Sequence, residues 1–437
     1  MSNKGNKTSR REFVKSTSTA VVGGTVGLNL LFPKGAFATN QDTIKVGLIG
    51  CGGRGSGAAN QALAADTNVV LHAMGDAFED RLQSSLKNLA DVHPDKVKVS
   101  PEHQYVGFDA YQKVIDSGVD VVLLATPPCF RPDHLTAAIQ AGKHVFCEKP
   151  MAVDVPGLQK IYQAARMAKE KNLSLMSGFC WRYHFPKRET FQRILEGEIG
   201  QVRAVYNTYN THYLWHKERQ QGWTDMEYKL RNWLYHNWLS GDHIAEQAIH
   251  SLDMMVWALG NEMPVRAMGT GGRQRRVEEI YGNVYDHFAI SYDFDSGAKG
   301  FHFSRQQKDT TRAYHLEILG TKGSCLIDCN RRKHEIFDLD GKKVWRYRGD
   351  VNDMYQTEHD ELFAAIRKGE PINDGEWMAN STLLALWGRM VAYTGQAITK
   401  EEVLASKEVL GPDIDAYNWD LAWENAPIAK PGITAFK

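Results

Sequence analysis

The hexapeptide Gly50-Cys51-Gly52-Gly53-Arg54-Gly55 restricts the folds open to this chain more than any other stretch. It matches G-x-G-x-x-G and stands between a compact apolar run, Ile44 to Ile49, and a helix-forming segment, Ala58 to Ala64. In that setting the first glycine permits a tight turn, the second lets the backbone approach a pyrophosphate, and the third allows close helix packing. The helix that follows offers unpaired N–H groups and a positive dipole end to the phosphates. Gly50, Gly52, Gly53, Arg54 and Gly55 are therefore assigned to a dinucleotide. Asp76 ends the next apolar run, Val69 to Met74, where such folds place the acidic residue that reads the ribose. A carboxylate there bonds the 2′-hydroxyl and repels a 2′-phosphate, which favours NAD over NADP. Arg81, close by, softens that preference.

The same alternation continues beyond the glycines. Glu79 to Leu89 reads as a helix, Val119 to Ala125 as a buried strand, Asp133 to Ala141 as a helix and His144 to Cys147 as a strand. Asp154 caps a helix running to about Lys171, and Leu173 to Ser177 is a further strand. Strands alternating with helices predict a parallel sheet wound on both faces, an α/β fold. After about residue 200 the pattern changes to a two-residue period, in Val202 to His212, Tyr285 to Phe294, Lys299 to Ser304, His315 to Leu319, Ser324 to Asp328 and Lys343 to Tyr347. These predict an open, largely antiparallel sheet in an α+β second domain. Helices over about Gln356 to Lys368 and Met378 to Thr394 follow. The expected division is 1–38 a leader, 39–180 a Rossmann domain and 181–437 a substrate and oligomerisation domain.

The leader rests on Arg10-Arg11, a glycine- and alanine-rich apolar run from Thr19 to Phe32, and Ala36-Phe37-Ala38. Together these read as a twin-arginine signal, so the expected location is the periplasm. The apolar run is too short and glycine-rich to span a bilayer. Export of a folded protein into a compartment poor in free nicotinamide nucleotide predicts a tightly held cofactor. Lysine plus arginine equals aspartate plus glutamate, 52 against 52, which argues against nucleic acid as a partner. The six cysteines do not read as a disulfide framework in a chain of this length.

Glu148-Lys149-Pro150 follows the strand His144 to Cys147, at the carboxyl edge where open parallel sheets bind ligands. A lysine beside a dinucleotide can hydrogen-bond a substrate hydroxyl and polarise the carbonyl it becomes. The Lys149–Pro150 bond is a candidate for the cis form. The run Ala125-Thr126-Pro127-Pro128, then His134, Ala141-Gly142-Lys143-His144-Val145 and Glu148-Lys149-Pro150 strongly resembles the glucose-fructose oxidoreductase / inositol dehydrogenase (Gfo/Idh/MocA) family. The resemblance implies a Rossmann domain, a C-terminal domain whose open sheet mediates homo-oligomers, and Lys149 as a catalytic residue. It places Thr126, Pro127, His134, Glu148 and Lys149 around the cofactor. Its second signature is an Asp four residues before a catalytic His. Here His250 fits the histidine, Asp253 follows, and Glu246 stands in place of the Asp. Helical spacing predicts Glu246, His250 and Asp253 on one face, with a carboxylate orienting the imidazole as it takes a proton. His243, Glu246 and His250 also have metal-ligand chemistry, but hydride transfer with a lysine needs no metal, and none is expected.

Trp181, Trp215, Trp223, Trp233 and Trp238 cluster with Tyr183, Tyr213, Tyr228 and Tyr235. Aromatic faces with polar tips suit a sugar ring, so the segment Tyr213 to Ser240 is expected to wall a substrate pocket. Lys149, Arg182, Tyr183, Trp233, Glu246 and His250 are the substrate-binding candidates, with His184 and Asp286-His287 behind them. Three functions fit. One is an NAD-dependent oxidoreductase acting on a sugar, glycoside or polyol hydroxyl, for example at C3. Another is a redox-neutral glycosidase that oxidises its substrate transiently and eliminates the aglycone. The third is a noncatalytic NAD-binding sensor, disfavoured because Lys149 and His250 are both present.

Overall fold

The computed structural model describes residues 42–437; the expected leader lies outside them. Six parallel strands form the first sheet: β1 Ile44–Ile49, β2 Val69–Asp76, β3 Gln104–Val106, β4 Val121–Leu124, β5 His144–Cys147 and β6 Leu175–Ser177. Their order is β3-β2-β1-β4-β5-β6. β4 and β6 are buried at every residue and β1 at all but Lys45, the pattern of strands covered on both faces. The order reverses between β1 and β4, which opens a crevice at the carboxyl ends of the strands. β3 is too short to read from periodicity, and sequence reasoning missed it.

The second sheet has nine strands in the order β14-β13-β12-β11-β7-β10-β9-β8-β15. They are β7 Val202–Thr211, β8 Arg266–Gly272, β9 His287–Asp293, β10 Lys299–Gln306, β11 His315–Gly320, β12 Gly323–Asp328, β13 Lys333–Asp338, β14 Lys343–Arg346 and β15 Ile398–Thr399. All its pairs are antiparallel except β7 with β10. β8 was not legible because its glycines have no side chain to set a period. They serve close approach: a Cβ on Gly269 would lie 2.6 Å from the Ala289 carbonyl. In β10 burial alternates strictly from Lys299 to Ser304, with Phe301 and Phe303 facing out. The inner face is covered by the helix Gly375–Thr394, apolar nearly all round and buried along most of its length.

The first sheet is completed from the far end of the chain. Leu362, Phe363 and Ile366 of the helix Met354–Lys368 join the apolar cluster of β1, β2 and the helix Gly53–Ala65. Arg367 of that helix bonds the Asp66 carboxylate at 2.8 Å.

Candidate active site

The carboxyl ends of β1, β2 and β4 open into a cavity of about 730 Å³, within the range of ligand sites. Gly50 has φ +95°, and a Cβ there would lie 2.7 Å from backbone atoms of Ala125 and Thr126. A Cβ on Gly55 would strike the Gly50 carbonyl at 1.8 Å, so this glycine brings the helix Gly53–Ala65 onto the strand. Asp76 closes the loop from the side: its carboxylate accepts the N–H groups of Cys51 at 2.6 Å and Phe78 at 2.9 Å. Burial pushes this carboxyl up from its ordinary value. A carboxylate has acceptor capacity for more than two bonds, which leaves room for ribose hydroxyls. Arg81, Thr126, Pro127 and His134 line the same cavity, as expected of cofactor residues. His134 stacks on Tyr111 at 4.1 Å, and burial pushes its imidazole down to about 3, so it is neutral. A glycine cradle, a helix N-terminus and a buried acid fit a dinucleotide.

Glu148 is anchored by its backbone, whose N–H donates to the Leu124 carbonyl at 2.9 Å. Its side chain is buried, 3.0 Å from Arg54 of the glycine loop. Gly178 makes room for it, because a Cβ there would lie 2.6 Å from Glu148 Oε2. Lys149 follows with a cis bond to Pro150. Its ammonium donates to the backbone carbonyl of Glu246 and lies 3.5 Å from Glu246 Oε1. Both side chains are largely buried, at 15% and 13% exposure.

The expected single helical face through Glu246, His250 and Asp253 is corrected. Glu246 ends the short helix His243–Glu246, and His250 and Asp253 belong to the helix Ile249–Ala258. The N–H groups of Gln247 and Ala248 both donate to the His243 carbonyl, at 2.9 and 3.0 Å. The second of these is a wide i→i+5 turn, which shifts the register. Glu246 therefore meets Lys149. Asp253 does not orient His250 either, because it takes Arg182 through Nε at 3.0 Å and Nη2 at 2.8 Å. Ser381 also donates to Asp253 at 2.7 Å. His250 lies 5.1 Å from the Trp181 ring, and its buried Nδ1 has no hydrogen-bond partner. Burial, then Lys149 and Lys187, hold its imidazole well below the usual range, so it is a neutral proton acceptor.

Other substrate candidates prove structural. Arg182, besides holding Asp253, stacks over Trp377 at 4.2 Å. The Tyr183 hydroxyl is buried and donates to Asp374 at 2.7 Å. Asp286 spends its carboxylate on the N–H groups of Gln274, Arg275 and Arg276 and on His287 Nδ1. His184 packs 5.7 Å from His334. The segment Tyr213 to Ser240 does wall a pocket, but Trp215, Lys217, Leu230 and Trp233 line the dinucleotide cavity, whose lining includes Asp76 and Arg81 and not Lys149. An indole face suits a nucleobase as well as a sugar, so composition did not distinguish the two ends. Among the described residues no group of three or more His, Cys, Asp or Glu side chains is arranged to hold a metal ion. His243 bonds the Tyr285 carbonyl instead.

Comparison with known proteins bears on the family and the fold. Residues 44–179 match the family described as oxidoreductase family, NAD-binding Rossmann fold, and residues 188–326 match the GFO/IDH/MocA C-terminal domain. The scyllo-inositol 2-dehydrogenase (NAD(+)) of Bacillus subtilis is 28% identical over 228 residues, 52% of this chain and 60% of that protein. The myo-inositol 2-dehydrogenase of Thermotoga maritima is 24% identical over 335 residues, 75% of this chain and 90% of that one. The crystal structure of aldose-aldose oxidoreductase from Caulobacter crescentus superposes with a TM-score of 0.65 at 21% identity, covering 82% of this chain and 99% of that one. With the glycine loop and Asp76 placed around one cleft, and both halves matched, the chain belongs to the Gfo/Idh/MocA family of NAD-binding oxidoreductases.

Proposed function

We propose that the protein oxidises a secondary hydroxyl of a sugar, glycoside or polyol ring, C3 of a glycoside being the first position to test. The observation that carries this reading is Lys149 at the carboxyl end of β5, held by Glu246, next to Glu148, whose carboxylate lies 3.0 Å from Arg54 of the glycine loop. The nucleotide, when bound, supplies the hydride acceptor. Lys149 holds the substrate oxygen by hydrogen bonding, and the uncharged imidazole of His250 takes the hydroxyl proton. Glu246 keeps the Lys149 ammonium in place. The names of the inositol dehydrogenases and of the aldose-aldose oxidoreductase support a polyhydroxylated ring as substrate.

The test is to add a panel of glycosides and polyols to the NAD-loaded protein, following absorbance near 340 nm and products by mass spectrometry. A rise at 340 nm with a keto-sugar product supports the proposal. Release of an aglycone with no net change at 340 nm moves the assignment to the redox-neutral glycosidase. Silence with every polyol overturns both.

Two settings belong to the proposal. The Arg10-Arg11 leader directs export to the periplasm. The outer face of the second sheet, with Phe301, Phe303, Met268 and Leu319 exposed, packs against another copy of the chain.

A further inference from the structure

The dinucleotide cavity has a wall that the first sheet does not supply. Trp215, Lys217, Leu230 and Trp233 come from the stretch between β7 and the site helices, and they line the cavity together with Asp76 and Arg81. Trp215 is 44% exposed although it lines the cavity, so its indole has surface that a stacked ring would cover. This stretch is fastened to the nucleotide domain by Met226 and Leu230, which pack in one apolar cluster with Phe78 and Phe130, and by an ion pair. Arg231 donates through both Nη atoms to Asp80 at 3.0 and 2.9 Å, and its guanidinium sits 4.1 Å from the Phe78 ring centroid. Only 10% of the Arg231 side chain is exposed. The Asp80 carboxylate is 61% exposed, so it is the bidentate geometry and the ring contact, rather than desolvation, that set this pair apart from an ordinary surface ion pair. Behind it, Lys229 donates to the Trp423 carbonyl, and Trp419 packs 4.7 Å from Phe108.

We infer that residues 215–233 form a clasp over the adenosine half of the cofactor, closed by the Arg231–Asp80 pair, so that the nucleotide stays bound from one turnover to the next. Trp215 and Trp233 offer apolar aromatic faces to the base, a sequence-tolerant stacking contact. Lys217 lines the same cavity as Asp76. Burial, then the guanidinium groups of Arg81 and Arg231, disfavour its ammonium, so ligand oxygens there relieve a crowding of positive charge. The inference rests on the nicotinamide reading of the cleft, and it adds that release of the nucleotide requires the clasp to open.

The experiment measures release, not turnover. The full chain is loaded with NADH, desalted, and mixed with excess NAD, and the loss of tryptophan-to-NADH energy transfer is followed in time. Wild type is expected to keep near-stoichiometric nucleotide through desalting and to release it slowly. Arg231→Ala and Asp80→Ala are each expected to speed release at least tenfold, and the charge-exchanged pair Arg231→Asp with Asp80→Arg to recover part of the loss. Lys217→Ala, which leaves the Arg231–Asp80 pair intact, is expected to weaken NADH affinity without moving the melting temperature. It keeps the test decisive if the clasp variants fold poorly. Release as fast from wild type as from the variants overturns the clasp. A protein that binds no nicotinamide nucleotide at all overturns the reading of the cleft instead.

Discussion

Lys149 is held by Glu246: its ammonium donates to the Glu246 carbonyl and lies 3.5 Å from the carboxylate. The acid that stands in place of the family's Asp is thus bonded to the lysine, and His250 is left uncharged beside them. Changing Glu246 to Gln keeps the reach and removes the charge, whereas Asp keeps the charge and shortens the reach. If the contact positions Lys149, both variants lower kcat, by roughly 10- to 100-fold, with smaller changes in KM. Steady-state kinetics on the substrate found by the glycoside panel decide this, and full activity in Glu246→Gln removes the role.

Lys149→Ala should leave the fold and nucleotide binding intact while turnover drops by about 10³-fold, within the range for a positioned acid or base. Melting temperature, NADH titration and kcat separate the three effects. Near-normal kcat takes Lys149 out of the chemistry.

Gly50→Ala places a side chain at φ +95° against the backbone of Ala125 and Thr126. Strain and collision together should cost more than ~2 kcal/mol, read from urea unfolding, and should abolish nucleotide binding. A variant as stable as wild type means that the loop relaxes away from β4.

His134 is neutral in the fold, held down to about 3 first by burial and then by Arg131. The unfolded histidine titrates near 6.5, so the unfolded chain binds more protons between those values. Stability linked to this group is intact at pH 7 and is lost as pH falls from about 6.5 towards 3, amounting to ~2 kcal/mol by pH 5. Urea unfolding at the two pH values should show a smaller acid loss in His134→Gln than in wild type. An equal loss means that other groups set the acid sensitivity.

Glu358 gives the opposite sign. It is fully buried with neither carboxylate oxygen partnered. Burial, then the Glu148 carboxylate, hold its pKa well above the ordinary value. Its contribution is therefore present below the unfolded carboxylate pKa and is lost as pH rises towards the folded one. Glu358→Gln should melt higher than wild type at pH 8, and the gap should narrow towards pH 5. A lower melting temperature at pH 8 shows that the ionised group is accommodated.

What the sequence disclosed is what short-range chemistry specifies. The glycine loop, Asp76 and Glu148-Lys149 each sit at the end of a buried strand, and strand-then-turn is written within a dozen residues. The Lys149–Glu246 contact was hidden because it depends on the doubly used His243 carbonyl, and one extra residue in a turn leaves no mark on composition. The tryptophans misled for a different reason. An indole serves a sugar, a nucleobase or a core equally well, and Trp238 is buried with its N–H on Asn425. The partners of Arg182 and Tyr183, Asp253 and Asp374, come from distant stretches of chain and have no local signal.

The helix Met354–Lys368 that covers the first sheet carries a consequence for biogenesis. Ribosomes deliver ~5–20 residues per second, so β1 to β6 exist for roughly ten to forty seconds before their last cover is made. During that interval the apolar surface destined for Leu362, Phe363 and Ile366 is open to solvent and to chaperones. A ribosome-bound fragment ending after β6 should therefore be chaperone-dependent, and commitment to the native state falls near the end of translation.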